Sequence, residues 1–231
     1  MLRLDHLTLT HPGFRLTADW TVATGDVVAV IGPSGSGKSS LLMAIAGFLT
    51  PGSGTIRWQD RDITALPPAR RPVGILFQDQ NLFPHLSITQ NLGLALSPDL
   101  RLSPDQNQRI ADTLTRLGLA GMGDRRPADL SGGQQGRAAL ARVLLQARPI
   151  LLLDEPFAAL GPALKTDLLT LVRDLTTETG ALTLLVTHDP RDAQRFADRT
   201  ILIADGIAHA PAPTGELFAQ PSPTLQDYLG A

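Results

Sequence analysis

A glycine-rich segment that ends in a lysine and a serine is the group of residues best suited to chemistry. Residues 28–40 read VAVIGPSGSGKSS, an apolar run followed by glycines and then a helix-like stretch. This spacing is typical of a phosphate-binding loop, in which backbone N–H groups turn toward phosphate oxygens and the lysine neutralises their charge. The alternative is a glycine-rich turn that binds no ligand, and the apolar run before the glycines and the helix-like stretch after them disfavour it. The expected phosphate contacts are Gly32, Pro33, Ser34, Gly35, Ser36, Gly37, Lys38, Ser39 and Ser40, with the Ser39 hydroxyl also a ligand of Mg²⁺.

Two adjacent carboxylates follow a second apolar run. Residues 150–155 read ILLLDE, a length typical of a buried strand. Ligands of open α/β sheets collect at the carboxyl ends of strands, so both acids should lie beside the phosphate-binding loop. Because neighbouring side chains of a strand point to opposite faces, we expect Asp154 near Mg²⁺ and Glu155 near an attacking water as its general base. The alternative is a strand that ends in solvated acids.

A third candidate is the segment LSGGQ at residues 130–134, which precedes a predicted helix at residues 135–146. A serine and two glycines at a helix start offer a hydroxyl, free N–H groups and the positive end of the helix dipole. The sequence therefore predicts a second phosphate site. On these motifs, their order and their spacing, the chain resembles the ATP-binding subunits of ABC transporters along nearly its whole length. The residues that match the family signature are Ser131, Gly132, Gly133 and Gln134.

The resemblance implies an ATPase that uses Mg²⁺ and forms its active site between two copies, with the signature of one copy on the phosphate-binding loop of the other. It also implies that Gln78 reaches the metal ion and the water, and that its loop contacts a membrane subunit. His188, in the segment VTHDP, is expected to sense the γ-phosphate. Without the family context, Gln78 would be interpreted as an ordinary surface amide and His188 as a capping or core residue.

Three positions depart from the family pattern. The segment AALG at residues 158–161 replaces a turn that ends in aspartate, so Gly161 puts the communication between two copies in question. For the aromatic that stacks on adenine, His11 is the first candidate and Phe14 the second, and a role for neither stays open. Gly136, just after the signature, should weaken its helix by about 1 kcal/mol relative to alanine.

Three zones of the chain must position these residues. Short apolar runs and Gly/Pro turns indicate strands up to about residue 77. Residues 104–119 carry Ile110, Leu114 and Leu117 at helical spacing. From residue 149, apolar runs alternate with amphipathic stretches such as residues 163–177, typical of a parallel sheet covered by helices. We predict an α/β fold: a P-loop NTPase core with a mainly parallel sheet, an N-terminal antiparallel β subdomain and a helical insert at about residues 87–147, in a single domain of residues 1–231.

Composition narrows the classes of protein further. The chain has 231 residues, a formal net charge of -2 and no cysteine, which disfavours a nucleic-acid partner and excludes disulfides, thiolate zinc sites and a cysteine nucleophile. Its first ten residues lack the apolar stretch of a signal peptide, and its apolar runs are far shorter than the roughly 20 residues that cross a bilayer. We expect a peripheral protein at the cytoplasmic face of the inner membrane.

Within the family, residues 67–94 resemble importers that are supplied by a periplasmic solute-binding protein. The end of the chain at Ala231, together with AGFLTPGSG and the turn at residues 70–72, makes the ATPases of bacterial thiamine importers the most similar group. Importers of polyamines, metals or anions stay open, as does, less favoured, a P-loop ATPase without a role in transport. The expected partners are transmembrane permease subunits, the solute-binding protein indirectly, and a second copy of the chain.

Overall fold

The computed structural model describes residues 1–158 and 160–229. The AALG segment and the predicted domain of residues 1–231 therefore lie partly outside the described residues, at positions 159, 230 and 231. The strands are β1 (Leu2–His11), β2 (Phe14–Val22), β3 (Val27–Ile31), β4 (Ser53–Trp58), β5 (Arg61–Asp62), β6 (Val73–Leu76), β7 (Ile150–Asp154), β8 (Leu182–Val186), β9 (Arg199–Ala204), β10 (Ile207–Ala208) and β11 (Ala212–Pro213). They follow one another across the sheet in the order β5-β4-β1-β2-β10-β9-β3-β8-β7-β6, with β11 beside β9.

Helices cover this sheet. They are α1 (Lys38–Ala46), α2 (Ile88–Gly93), α3 (Pro104–Arg116), α4 (Gly132–Leu145), α5 (Pro162–Thr179), α6 (Pro190–Phe196), α7 (Thr214–Ala219) and α8 (Pro223–Leu229). Serine starts the three helices between β6 and β7: Ser87, Ser103 and Ser131 each cap their helix in a reciprocal capping box. Such caps satisfy N–H groups that a helix leaves without partners, so the local sequence defines where the helices of the predicted insert begin.

The N-terminal part of the sheet is antiparallel, and its register contains a bulge. β1 pairs with both β2 and β4, and the register shifts between Leu4 and Leu7. At the bulge, His6 has φ +45°. An extra residue in a strand moves all later side chains to the opposite face. The bulge therefore keeps Leu2 and Leu4, before it, and Leu7 and Leu9, after it, buried in one core cluster.

The other part of the sheet is parallel and carries the site. β3 pairs in parallel with β8 and β9, β8 with β7, and β7 with β6. Alternate residues of β7 belong to two core clusters, one on each face, as expected for a parallel sheet covered on both sides. The carboxyl ends of β3, β6, β7 and β8 consequently lie along one edge. The predicted α/β fold with a mainly parallel core is confirmed; its division into a single domain stays a prediction.

Helix α4 begins earlier than the sequence suggested. The predicted start at residue 135 is wrong, because Ser131 is the N-cap and the helix includes both signature glycines. The Ser131 hydroxyl accepts a hydrogen bond from the Gln134 N–H, and the Gln134 side chain accepts one from the Ser131 N–H. This reciprocal cap stabilises the first turn despite two helix-weakening glycines.

Gly136 in the interior of α4 offers a test of this account. A Cβ at this position would lie 3.4 Å from Gln80 Nε2 and 3.7 Å from Leu168 and Phe157, which are ordinary contacts or nearly so. Gly136→Ala should therefore raise the free energy of unfolding by about 0.5–1 kcal/mol through helix propensity. Urea denaturation of both proteins measures the difference.

The matched control is Gly133→Ala in the first turn of the same helix. A Cβ there would lie 2.2 Å from Leu164 Cδ2, so steric displacement should cancel the gain in propensity. An equal stabilisation by both substitutions would contradict the packing described for α4.

Candidate functional site

The phosphate-binding loop connects β3 to α1 and is confined on two sides. Gly32 has φ +149°, and a Cβ on it would lie 2.1 Å from the carbonyl oxygen of Ile203 in β9. Gly37 has φ +102°, and a Cβ there would lie 2.4 Å from the ring of Phe14 in β2. Both glycines are required, since any side chain would strain the backbone and displace a neighbour. The sequence-predicted loop thus lies between β9 and the β1–β2 hairpin.

Lys38 is buried, and its charge is held inside the loop. Its Nζ donates to the carbonyl oxygens of Gly32 and Pro33, each at 2.9 Å. Burial lowers the pKa of Lys38, whereas the charges of Glu155 and Asp154 raise it. Ser36 Oγ, also buried, has no hydrogen-bond partner within residues 1–158 and 160–229. A buried lysine and an unpaired hydroxyl in a glycine-rich loop before a helix fit a polyanion such as a nucleoside triphosphate.

The candidate metal ligands lie at the edge of the same loop. Ser39 Oγ donates to Asp154 Oδ1 at 3.0 Å. Burial raises the pKa of Asp154, and the neighbouring Glu155 charge raises it further, against the Ser39 hydrogen bond and Lys38. The described part of the chain contains no cluster of three or more acidic or histidine side chains that could hold a metal. A hydroxyl and one carboxylate fit Mg²⁺ only if phosphate oxygens and water complete its shell, as that ion prefers.

Gln78, the third predicted ligand, follows the neighbouring strand. Leu76 at the end of β6 pairs with Leu153 in β7, so Gln78 leaves the sheet at the same edge as the two acids. Gln78 itself is exposed. The strand order therefore brings all three predicted metal ligands to one edge of the sheet, with Gln78 in the turn after β6 and Asp154 at the end of β7.

Glu155 does not continue the strand, and the expected alternation with Asp154 is wrong. β7 ends at Asp154, and Glu155 has φ +44°, in the left-handed region. This turn carries the carboxylate to His188, whose Nδ1 lies 3.0 Å from Glu155 Oε2. Because a carboxylate only accepts hydrogen bonds, Nδ1 carries the proton and Nε2 stays available to another group. The predicted base and the predicted γ-phosphate sensor are thus joined directly.

The signature residues lie apart from this cluster within one copy of the chain. Ser131 and Gly132 are exposed at the N-terminus of α4. Among the described residues no hydrogen bond connects Ser131, Gly132, Gly133 or Gln134 to residues 32–40. The N-terminus of α4 is therefore at the surface of one copy, and its role as a second phosphate site stays a prediction.

Comparison with known proteins identifies the architecture. Residues 17–158, more than half of the chain, match the family model of the ABC transporter. The chain belongs to the ABC transporter family. The predicted family is therefore confirmed.

Close relatives and solved structures extend the match to nearly the whole cassette. The thiamine import ATP-binding protein ThiQ of Cereibacter sphaeroides is 63% identical over 230 residues, with 100% of each chain covered. The protein of the same name from a Ruegeria species is 54% identical, also over 100% of each chain. The dimeric structure of MJ0796, a bacterial ABC transporter cassette, has a TM-score of 0.81 at 30% identity and covers 93% of this chain and 99% of its own. The predicted resemblance to thiamine-importer ATPases is thus confirmed.

Two hydrogen-bonded groups of the cassette were missed by sequence reasoning. Arg142 of α4 donates to the carbonyl oxygens of Asn81 at 2.7 Å and Gln80 at 3.2 Å, and its guanidinium lies 5.9 Å from the ring centre of Phe83. Burial lowers the pKa of Arg142. The segment after Gln78 is therefore fastened to the signature helix. An arginine within the otherwise apolar stretch ALARVLL was the available signal.

The second group supports the segment that carries His188. The Thr187 hydroxyl donates to the buried Asp192 carboxylate at 2.6 Å, and Lys165 of α5 forms an ion pair with that carboxylate. The Asp189 N–H in turn donates to the Thr187 hydroxyl at 3.1 Å. The Lys165–Asp192 ion pair connects α5 to α6, and the Thr187 hydrogen bonds join residues before and after His188. Because the ion pair joins positions far apart in the chain, no local pattern in the sequence predicts it.

The two candidates for adenine stacking lie opposite one another in the β1–β2 hairpin. His11 pairs with Phe14 across the turn. His11 is exposed, whereas Phe14 is partly buried and packs against Gly37. We therefore expect the exposed ring of His11 to stack on a base and the ring of Phe14 to support the loop, and both roles stay predictions.

His11→Ala should raise the dissociation constant for ATP about fivefold or more, from the free energy of one base–aromatic stack. Its dissociation constant for tripolyphosphate, which lacks a base, should not change. Isothermal titration calorimetry measures both ligands.

Phe14→Ala is the control, because loss of the ring that packs against Gly37 should weaken the binding of ATP and of tripolyphosphate alike. An equal loss of ATP and tripolyphosphate affinity in His11→Ala would contradict a stacking role for His11.

Proposed function

We propose that this chain is the ATP-hydrolysing subunit of a thiamine importer, which powers transport through partner membrane subunits. The observation that carries the proposal is full-length similarity, at 63% and 54% identity, to proteins named thiamine import ATP-binding protein. The site supports it, because a phosphate-binding loop, a general base and a polar sensor converge at one sheet edge. Nucleotide binding is common to the family.

Hydrolysis follows from the positions of the side chains. Backbone amides of the loop and the Lys38 ammonium bind the phosphates, so Lys38 exchanges the Gly32 and Pro33 carbonyls for phosphate oxygens. Ser39, Asp154 and Gln78 would hold Mg²⁺, which when bound neutralises charge on those oxygens. Glu155 accepts the proton of the attacking water, and the Nδ1–H of His188 orients the carboxylate for that transfer. Phosphoryl transfer to water needs positioning and charge stabilisation but no covalent intermediate with a side chain.

A second copy of the chain completes the site. The free N-terminal end of α4 provides Ser131, Gly132, Gly133 and Gln134 to the γ-phosphate bound by the other copy. The dimeric relative at 30% identity supports this arrangement. Gly161 is the N-cap of α5 without a side-chain cap, and a Cβ there would meet nothing within 4 Å. The aspartate that the family resemblance implies for the end of this turn would therefore have room at position 161.

Glu155→Gln should bind ATP, lower turnover by about two orders of magnitude or more, and form a dimer when Mg-ATP is added. The physical reason is that an amide cannot accept the water proton but keeps the shape of the site. Light scattering measures the mass with and without nucleotide, and phosphate release measures the rate.

Lys38→Ala is the control, since a chain without this charge should stay monomeric at the same ATP concentration. Near-normal turnover of Glu155→Gln would contradict the role of Glu155 as the base. A Glu155→Gln variant that stays monomeric would contradict autonomous dimerisation.

The surface for the permease is an apolar groove between the end of α1 and the helical insert. Its volume is about 380 Å³, and its lining includes Phe48, Ile75 and Leu96. Phe48 is 53% exposed, and Phe83 in the segment after Gln78 is 45% exposed. Within residues 1–158 and 160–229, no helix has the length and hydropathy to span a membrane. Large exposed rings are typical of interaction sites. We place the chain at the cytoplasmic face of the inner membrane, with the solute-binding protein acting only through the permease and with no nucleic-acid partner.

Phe48→Asp should leave the ATPase activity of the isolated chain unchanged but prevent assembly with the membrane subunits and abolish thiamine uptake. A charge in an apolar groove opposes docking without touching the phosphate site. Co-purification from membranes and uptake of labelled thiamine measure these effects.

Ile207→Asp is a matched control, because Ile207 is 45% exposed but lies in β10, away from the groove. Loss of assembly in both variants would argue against this groove as the docking surface.

A further inference from the structure

The last helix of the described chain reaches the segment that carries His188. In α8, Leu225 is completely buried, and Tyr228 packs partly buried against the same core cluster. The Tyr228 hydroxyl donates to the carbonyl oxygen of His188 at 2.8 Å, across a sequence separation of 40 residues. Tyr228 is the one tyrosine of the sequence. A side chain from the end of the chain thus contacts the backbone of a proposed site residue.

The pKa of the Tyr228 phenol is influenced by residues of the proposed active site. Burial raises the pKa of Tyr228, and the backbone N–H of Gly32 lowers it from the side of the phosphate-binding loop. The charges of Asp189 and Glu155 also act on the phenol and raise its pKa. The one hydrogen bond that the Tyr228 hydroxyl donates in the described residues goes to the segment that follows β8.

The peptide that Tyr228 binds is held at both of its polar groups: the Asp189 N–H donates to the Thr187 hydroxyl at 3.1 Å, and the His188 carbonyl oxygen accepts from Tyr228 at 2.8 Å. β8 ends at Val186, and α6 begins at Pro190 with Asp189 as its N-cap. His188 lies between these elements, and its imidazole holds Glu155 through Nδ1. Rotation of the peptide after His188 would turn the imidazole away from the carboxylate. The Thr187 hydroxyl opposes this rotation at the N–H, and the Tyr228 hydroxyl opposes it at the carbonyl oxygen.

We propose that Tyr228 is a positioning residue for ATP hydrolysis, whose hydroxyl fixes the His188 peptide so that the imidazole stays on Glu155. The inference rests on the proposed ATPase function and deepens it. It makes α8 part of the hydrolytic machinery, although none of its side chains contacts the reacting atoms. Removal of the hydroxyl should slow the chemical step and leave ATP binding nearly unchanged, because the phosphate-binding loop keeps its own contacts.

The test is Tyr228→Phe in the full chain, which keeps the ring and removes one hydrogen bond. We expect kcat to fall between about threefold and tenfold, the range of one such bond, while KM for ATP stays within about twofold. Steady-state phosphate release gives both constants, and thermal unfolding shows whether the variant is folded.

Thr214→Val is the matched control. Its hydroxyl makes a buried 2.9 Å bond to Thr200 next to the same C-terminal helices but has no contact with His188. A purely structural role for Tyr228 predicts that both variants change kcat alike, and that result would overturn the proposal. Unchanged kcat in Tyr228→Phe, or a change confined to KM, would overturn it as well. Wild-type protein without ATPase activity would instead overturn the proposed function, and this inference with it.

Discussion

The parallel pairing of β3, β6, β7 and β8 is the constraint on which the rest of the structure depends. Each of these strands ends at the same edge, and each is followed by a residue group of the proposed site. Burial on both faces fixes their register, because a slip by one residue would move apolar side chains between two cores. Phosphate contacts, carboxylates, amide and imidazole therefore converge although they come from distant parts of the chain.

At that edge several residues have conformations or surroundings that lower the free energy of unfolding. Lys38 and Asp154 are both removed from water, so burial lowers the pKa of Lys38 and raises the pKa of Asp154. The charges of Glu155 and Asp154 oppose the pKa shift of Lys38, and the Ser39 hydrogen bond and Lys38 oppose that of Asp154. Glu155 adopts a left-handed backbone that a residue other than glycine rarely takes. Ser36 keeps a hydroxyl without a partner in the described residues. A polyanion and a cation together would satisfy the two buried charges and the Ser36 hydroxyl, and the backbone of Glu155 is a further departure from local rules of the kind expected at a functional site.

Local patterns in the sequence were enough for the fold and for the position of the main motifs. The runs that form β7, β8 and β9 are apolar and short, and α5 follows its predicted amphipathic stretch closely. Errors arose at boundaries, since capping by Ser131 extends α4 and the turn at Glu155 ends the strand alternation early. Contacts such as Tyr228 with His188 depend on tertiary packing between distant segments, which no periodicity contains. The roles of Gln78 and the signature rested on family resemblance.

Helix α4 has one further consequence through the contacts at its two ends. Its 14 residues correspond to about 21 Å, with the signature at one end and Arg142 near the other, fastened to the segment that presents Phe83. Coupling between two binding events is thermodynamically reciprocal. If permease binding increases the equilibrium constant for closure of the two copies by a given factor, closure driven by nucleotide increases the affinity for the permease by the same factor. Under the proposed function, α4 would therefore link the affinity of the chain for the membrane subunits to its affinity for ATP through one coupling free energy.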